Sequence, residues 1–460
     1  MKKTILLRDL NENEKYQIRD IVENYGTPLY IYFYDRIDDQ IKILTSSIKK
    51  FSQILKIKIY FALLANQNPY ILLEIMQNFE KYGLEPGVFC ASRGHLYILS
   101  YLLDYIGSFE NLSVTYSDVY LTEDNIDYLC SINASSFYII LQSLNHFKII
   151  KQYLSKKSKN EIKGKINLGI RIKLNFDKKT GEDIYSIYHG KNARFGLTKD
   201  DLGIVLYEIE DLGIKEVGFS IYPGTNIQSL KKLESIYQEF FNFVEENIRN
   251  FSFKVSFLDI GGGFGINYRK REILNLESIF ETIVKLFNRT FYKLTPKIEN
   301  NIFLEPGRFI VAPAGILVSK VIDIKVEKDL KFVIVDAGLS HFARPYIYNQ
   351  YHKIDFIHFK NNKKTKMWKN VFVVGCTAAS GDFFSDNPLG KPTLQIEEVE
   401  IGDLILFYDV GAYGHCMSSN FCGLLTPPEI LVKNGKHYLI REGEKFENLI
   451  YGVSPCLKLH

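Results

Sequence analysis

Residues 56–63 read KIKIYFAL, 70–82 read YILLEIMQNFEKY and 87–92 read GVFCAS. The outer two are short runs rich in β-branched and aromatic residues, while the middle segment repeats apolar residues three and four apart, the period of an amphipathic helix. Strand, helix and strand in that spacing read as a parallel βαβ unit. Working outward, similar runs stand at 113–117 (SVTYS), 137–143 (FYIILQS), 167–173 (NLGIRIK), 215–222 (KEVGFSIY), 255–261 (VSFLDIG) and 301–308 (NIFLEPGR), and 227–249 again shows helical spacing. Eight runs predict an α/β chain closed into a (β/α)8 barrel with the helices as an outer ring. After about residue 310 the helix-length spacers stop. FVIVDAG (332–338), VFVVGC (371–376), DLILFYDV (403–410) and KHYLI (436–440) are separated by loops, which predicts a C-terminal β domain. The expected boundaries are a barrel over 30–308 and a β-sandwich domain made from 1–29 and 309–460.

Composition narrows the function classes. A chain of 460 residues that is 46% hydrophobic buries a large core and divides into two domains. Lys and Arg number 57 against 53 Asp and Glu, and a net charge of +4 argues against a nucleic-acid or polybasic membrane partner. The opening Met1, Lys2 and Lys3 imitate a secretion signal, but Arg8 and Asp9 end the apolar run early. No window reaches the roughly 20 apolar residues of a spanning helix. The chain therefore reads as cytoplasmic and without a membrane partner. Six cysteines without a C-x-x-C pair give neither a zinc pattern nor a disulfide framework, so no metal is expected. The Lys-rich stretches 156–165 and 360–369 read as solvated loops.

Functional groups of such a barrel sit where strands end at their carboxyl side. The seventh run closes in Asp259, Ile260, Gly261, Gly262, Gly263, Phe264 and Gly265, and successive glycines let backbone N–H groups approach an anion. Alone, that stretch reads equally well as a tight turn. The eighth run adds Glu305, Pro306, Gly307 and Arg308, an acid suited to a protonated ring nitrogen and a guanidinium suited to phosphate. A surface ion pair is the alternative reading.

With both motifs in view, the sequence resembles the fold-type III pyridoxal-phosphate (PLP) decarboxylases of the ornithine, diaminopimelate and arginine group. The likeness runs from Gly26, Thr27 and Pro28 to about Leu431. It implies an alanine-racemase-like (β/α)8 barrel with a C-terminal β domain. Further matches are Ala193, Arg194, Phe195 and Gly196; Gly224 and Thr225; Arg171; and Gly411, Ala412, Tyr413 and Gly414. By resemblance, Gly261, Gly262, Gly263, Thr225, Arg308 and Tyr413 surround the phosphate of PLP and Glu305 meets its ring nitrogen. Asp336, Ala337 and Gly338 followed by Arg344, Pro345 and Tyr348 are similar to the diaminopimelate branch, where the arginine and tyrosine contact the far end of the substrate. A small amino-acid-like ligand and a homodimer with pockets at its interface are implied in the same way.

The resemblance breaks where the chemistry is carried. The family's first strand ends in Ala-x-Lys-Ala-Asn, and here the segment is Ala62, Leu63, Leu64, Ala65 and Asn66. Leucine cannot form the Schiff base that tethers PLP. Lys58 shares the alternation of Leu64 but starts about 20 Å back at ~3.3 Å per residue, and Lys191 offers another route from the loop before Ala193. Tyr222 takes the place of a ring-stacking histidine. Ala378 and Ala379 replace a cysteine and a glutamate, and Phe89 and His95 replace an aspartate and a glutamate. Three readings stay open. One, which the lost groups favour, is a pseudoenzyme, alone or paired with an active paralogue in a heterodimer. Another is altered chemistry on PLP, or a related phosphorylated ligand, held noncovalently. The third is an active decarboxylase of a diamino acid with a substitute amine.

Overall fold

The computed structural model of this chain describes residues 4–156, 166–174, 192–294, 297–358, 366–385 and 392–454. It divides into two compact units. The first holds Ile37–Asn267 and Glu272–Ile310 with the residues up to Leu6, and the second holds Leu7–Arg36, Tyr268–Arg271 and the chain from Val311 onward.

In the first unit the eight sequence runs become eight parallel strands. Lys56–Ile59 pairs with Asn301–Leu304, and Phe61–Ala62, the continuation of the same strand past Tyr60, pairs with Gly87–Cys90. From there the ladder passes through Ser113–Tyr116, Ser136–Leu141, Ile166–Arg171, Glu216–Ser220 and Lys254–Asp259 back to Asn301–Leu304. Both ends of the path lie in one interrupted strand, so the sheet closes into the expected barrel. Helices follow the strands because polar residues cap them at the turns. Asn68 accepts from Tyr70 N ahead of Pro69–Lys81, Ser92 from His95 N ahead of Arg93–Ile106, and Thr198 from Asp201 N ahead of Lys199–Asp211. Each such oxygen satisfies an amide that the first helical turn leaves open, worth about 1 kcal/mol.

Aromatic rings fill the barrel. Phe257 and Phe303 stack at 4.5 Å with 8° between planes, and Tyr138 meets both edge-on. Phe257 fits because the two strands before its own present no side chain at the contact. A Cβ on Gly218 would fall 2.1 Å from the Phe257 ring, and one on Gly169 2.9 Å from it. The strand Ile166–Arg171 thus turns 169 and 171 inward, while Leu168 and Ile170 are buried on the side that faces the helices.

The second unit is a sheet in which Leu29–Phe33 lies between Gly315–Glu327, antiparallel, and Glu429–Lys433, parallel. Leu404–Tyr408 also pairs with Gly315–Glu327 and, on its other edge, with Ile354–Ile357. Helix Glu12–Tyr25 packs Ile18 and Ile21 onto Leu29, Ile31, Ile316 and Leu406. Arg271 holds this unit together from inside. Its guanidinium donates twice to Asp409, at 2.7 and 2.8 Å, and once to Asp9 at 2.5 Å. Among the described residues no helix is long and apolar enough to cross a membrane.

The packing of Phe257 sets a test. Gly218→Val adds branched carbons where the first one already clashes, and overpacking of a tight core costs about 1–3 kcal/mol or more. The variant should lose that much stability in urea unfolding, while Ser220→Ala, outside the Phe257 contact, should not reproduce the effect through this packing route.

Candidate functional site

Three neighbouring strand ends of the barrel unit converge. After Lys254–Asp259 the chain turns through Gly261 and Gly263, with φ of +67° and +81°, a region that side-chain-bearing residues rarely adopt. The turn is packed too closely for any side chain. A Cβ on Gly262 would stand 2.2 Å from the Glu305 carbonyl oxygen, and one on Gly263 would stand 2.4 Å from the Gly224 carbonyl oxygen. The glycines therefore press their backbone between the loops that follow the sixth and eighth strands. Gly261 N–H is committed inside, donating to Asp259 Oδ1 at 2.9 Å. Across this turn Arg308 Nη2 donates to Thr225 Oγ1 at 3.2 Å, so Thr225, the glycines and Arg308 form one polar cluster.

Beside it lies a buried acid pair. Asp259 Oδ2 accepts from Ser220 Oγ at 2.7 Å. Burial, then the Asp259 charge, push the Glu305 carboxyl well above the ordinary range, and Arg171 opposes them. Asp259 is raised too, by burial, against the donors Ser220 and Gly261. One proton is therefore retained between the two acids, on Glu305. Glu305 Oε1 is buried and meets no hydrogen-bond partner among the described residues, an arrangement that costs on the order of 1–3 kcal/mol until a donor arrives. A protonated pyridine nitrogen is such a donor, and a phosphate suits the Arg308 and Thr225 cluster. The residues present fit PLP.

Arg171 turns inward from the fifth strand. Its guanidinium carbon lies 4.9 Å from the Phe195 ring centre and 5.6 Å from that of Tyr222. This ties two expected site residues together through a cation–π contact. Leu64 stands at the end of the first strand, 39% exposed, between anchors: Ala65 N donates to Ala62 O at 3.0 Å, and a Cβ on Gly307 would meet Ala65 Cβ at 2.7 Å. Position 64 is thus held one residue from the Glu305, Pro306, Gly307, Arg308 turn. Lys58 faces the other end, bound to Glu85 at 2.7 Å. Lys191 lies outside the described residues. His95 is buried and its pKa is pushed down to about 4 by desolvation. Its Nδ1 accepts from Ala91 N at 3.1 Å, which places the proton on Nε2, 3.0 Å from the Gln67 side-chain amide, whose oxygen must then face it.

Tyr413, Arg344, Tyr348, Ala378 and Ala379 belong to the second unit. There Arg344 is buried among Tyr268, Tyr348 and Tyr413, whose ring centres lie 5.4, 5.6 and 5.7 Å from its guanidinium carbon. His352 Nδ1 donates to Tyr408 O at 2.9 Å, leaving Nε2 to accept from Arg344 Nε at 3.3 Å. Ala378 and Ala379 lie in a loop organised by Asp382, which accepts from Leu339 N, Thr377 N and Thr377 Oγ1. Two residues before Ala378, Cys376 donates its thiol to Asp336 O, and burial lifts that thiol to about 11. Sequence reasoning passed over Asp259 as a partner of Glu305. The signal was present in an acid that directly precedes a glycine turn.

Comparison with known proteins agrees with this geometry. Residues 39–312 match the family model described as pyridoxal-dependent decarboxylase, pyridoxal binding domain. Diaminopimelate decarboxylase of Aquifex aeolicus is 27% identical over 463 residues, covering 97% of this chain and 95% of its own. That of Methanocaldococcus jannaschii is also 27% identical, covering 95% and 93%. The solved Helicobacter pylori diaminopimelate decarboxylase complexed with L-lysine superposes with a TM-score of 0.76 at 25% identity, covering 94% of this chain and 98% of that one. With a family model matching more than half its length and carrying the barrel itself, this chain belongs to the pyridoxal-dependent decarboxylases, on their diaminopimelate decarboxylase branch, a family whose cofactor is PLP.

Proposed function

We propose that this chain is a PLP-dependent decarboxylase of a diamino acid that draws its cofactor amine from a position other than 64. The observation that carries the reading is the buried Glu305 Oε1, which has no hydrogen-bond partner among the described residues, beside the Arg308 and Thr225 cluster. A protein without use for a pyridine ring and a phosphate has no reason to keep that acceptor uncompensated. The relatives named above support a diamino acid as substrate, and the Helicobacter pylori protein was solved with L-lysine. When bound, PLP supplies the electron sink that accepts the pair left as a carboxylate departs as carbon dioxide. In this reading Glu305 holds the ring nitrogen, and Thr225, Gly261, Gly262, Gly263, Arg308 and Tyr413 hold the phosphate. Arg344 and Tyr348 receive the far end of the substrate, and two copies of the chain associate as a homodimer.

Leu64, Tyr222, Ala378 and Ala379 favour a second reading, in which PLP or a related phosphorylated ligand is bound noncovalently by a pseudoenzyme, alone or beside an active paralogue. Release of carbon dioxide from meso-diaminopimelate, L-lysine and L-ornithine by the PLP-loaded protein separates the two. Turnover of one substrate supports the first reading. Tight PLP binding with turnover of none supports the second.

Both readings require the anion cluster. Loss of charge-assisted hydrogen bonds worth about 1.5–3 kcal/mol makes Arg308→Ala bind PLP about 10- to 150-fold more weakly in fluorescence titration. The acid pair adds a pH signature to the cofactor-free protein. Folded Glu305 keeps its proton above the ordinary 4.5, whereas the unfolded carboxyl releases it there. The folded state then binds more protons, so stability falls as pH rises from 4.5 toward the raised value. Glu305→Gln should flatten that fall in thermal melts across the range, and should weaken PLP binding.

A further inference from the structure

A decarboxylase that lacks a lysine at position 64 needs an amine elsewhere at the barrel mouth, and the fifth strand carries a lysine there. Ile166–Arg171 ends formally at Arg171, but the extended backbone runs on: Ile172 bridges to Leu197, and Lys173 N donates to Leu197 O at 3.1 Å. Alternation therefore persists through 173. Residues 169 and 171 face inward, the first against Phe257 and the second over the rings of Phe195 and Tyr222. Ile170 and Ile172, buried and out of phase, face the helices. Lys173 thus starts on the inner side, one alternation step of about 6.6 Å closer to the mouth than Arg171. Arg171 is level with Ser220 and Ser220 with Asp259 in the strand registers, and Glu305 lies two residues past Phe303, the partner of Asp259, so the level of residue 173 is that of Glu305.

The other strand ends offer no rival within this unit. Among the described residues, the segments 60–68, 91–94, 117–122, 142–143, 221–229 and 305–311 contain no lysine. Lys270 lies in the segment Tyr268–Arg271, which groups with the second unit. Gly196 fixes the backbone at the position that matters. Its φ is +87°, and a Cβ there would lie 2.8 Å from Lys173 N. The loop from Ala193 to Gly196 is therefore pressed onto the strand beside Lys173, and the same loop brings Phe195 over Arg171.

We propose that Lys173 is the amine that links this chain to PLP, transferring to the fifth strand the role that Leu64 cannot perform on the first. The Lys173 nitrogen bonds to the aldehyde carbon of the cofactor, the carbonyl oxygen leaves as water with both amine protons, and no oxidant or reductant is involved. A long flexible stem with a terminal amine suits that approach from a different strand. This inference rests on the reading of the chain as a decarboxylase with a substitute amine.

The test is chemical rather than kinetic. Full-length protein loaded with PLP is reduced with borohydride, digested and mapped by mass spectrometry. The expected result is a phosphopyridoxyl mass on the peptide containing Lys173, lost in Lys173→Arg, where any PLP retained is held noncovalently and weakens further in Lys173→Arg/Arg308→Ala. A label on Lys191 or another lysine overturns the assignment to Lys173 and leaves the substitute-amine reading standing. Bound PLP with no labelled lysine overturns both. The wild-type map alone decides the matter if the variant does not fold.

Discussion

Closure of the barrel rests on a single strand that pairs along two edges. Lys56–Ile59 takes its hydrogen bonds from the last strand and Phe61–Ala62 hands them to the second, so the interruption at Tyr60 is where a sheet becomes a cylinder. A closed sheet has no edge and an interior of fixed width. Phe257, Phe303, Tyr138 and Tyr60 fill that width, and Gly169 and Gly218 yield the room. The same closure brings the first and eighth strand ends together. Ala62 and Ala65 then bear directly on Gly307, and everything functional at this end inherits its position from that contact.

The site shows which demands of its chemistry are met by backbone and which by side chains. The anion cluster depends on glycines that cannot be replaced without steric collision, so its shape is set by strand spacing. The acid pair depends on burial. One proton stays on Glu305 because burial and the neighbouring Asp259 charge both disfavour a second carboxylate. Residue 64 lies outside both constraints: it is 39% exposed, and its neighbours Ala62 and Ala65 are the residues that bear on Gly307. That asymmetry allows the glycine turn and the Glu305 to Arg308 segment to persist while the first strand ends in leucine.

The eight strands and the C-terminal sheet were legible in the sequence because alternation and helical spacing are local properties. KIKIYFAL and NIFLEPGR each announce a strand without reference to the other. The glycine turn and the Glu305 to Arg308 motif were equally plain, being contiguous. What single-residue reading could not extract was partnership across distance. Asp259 and Glu305 meet only because their strands are neighbours in the closed sheet. Lys173 acquires its direction only once Gly169 is seen against Phe257, since a strand's inner face is undetermined until its packing is known. The cluster around Arg344 likewise gathers Tyr268, Tyr348 and Tyr413 from segments far apart in the chain.

The strand Leu29–Phe33 has a consequence for biosynthesis. Its five residues, LYIYF, are wholly buried, yet its two neighbours are Gly315–Glu327 and Glu429–Lys433. On a ribosome this segment emerges well before either partner, the second of which is encoded roughly 400 residues later. At bacterial or eukaryotic elongation rates it waits on the order of tens of seconds with both edges open. An apolar, aromatic, uncharged pentapeptide in that state is a template for pairing with other chains. The segment therefore remains a pairing hazard for the nascent chain until Glu429–Lys433 has been made.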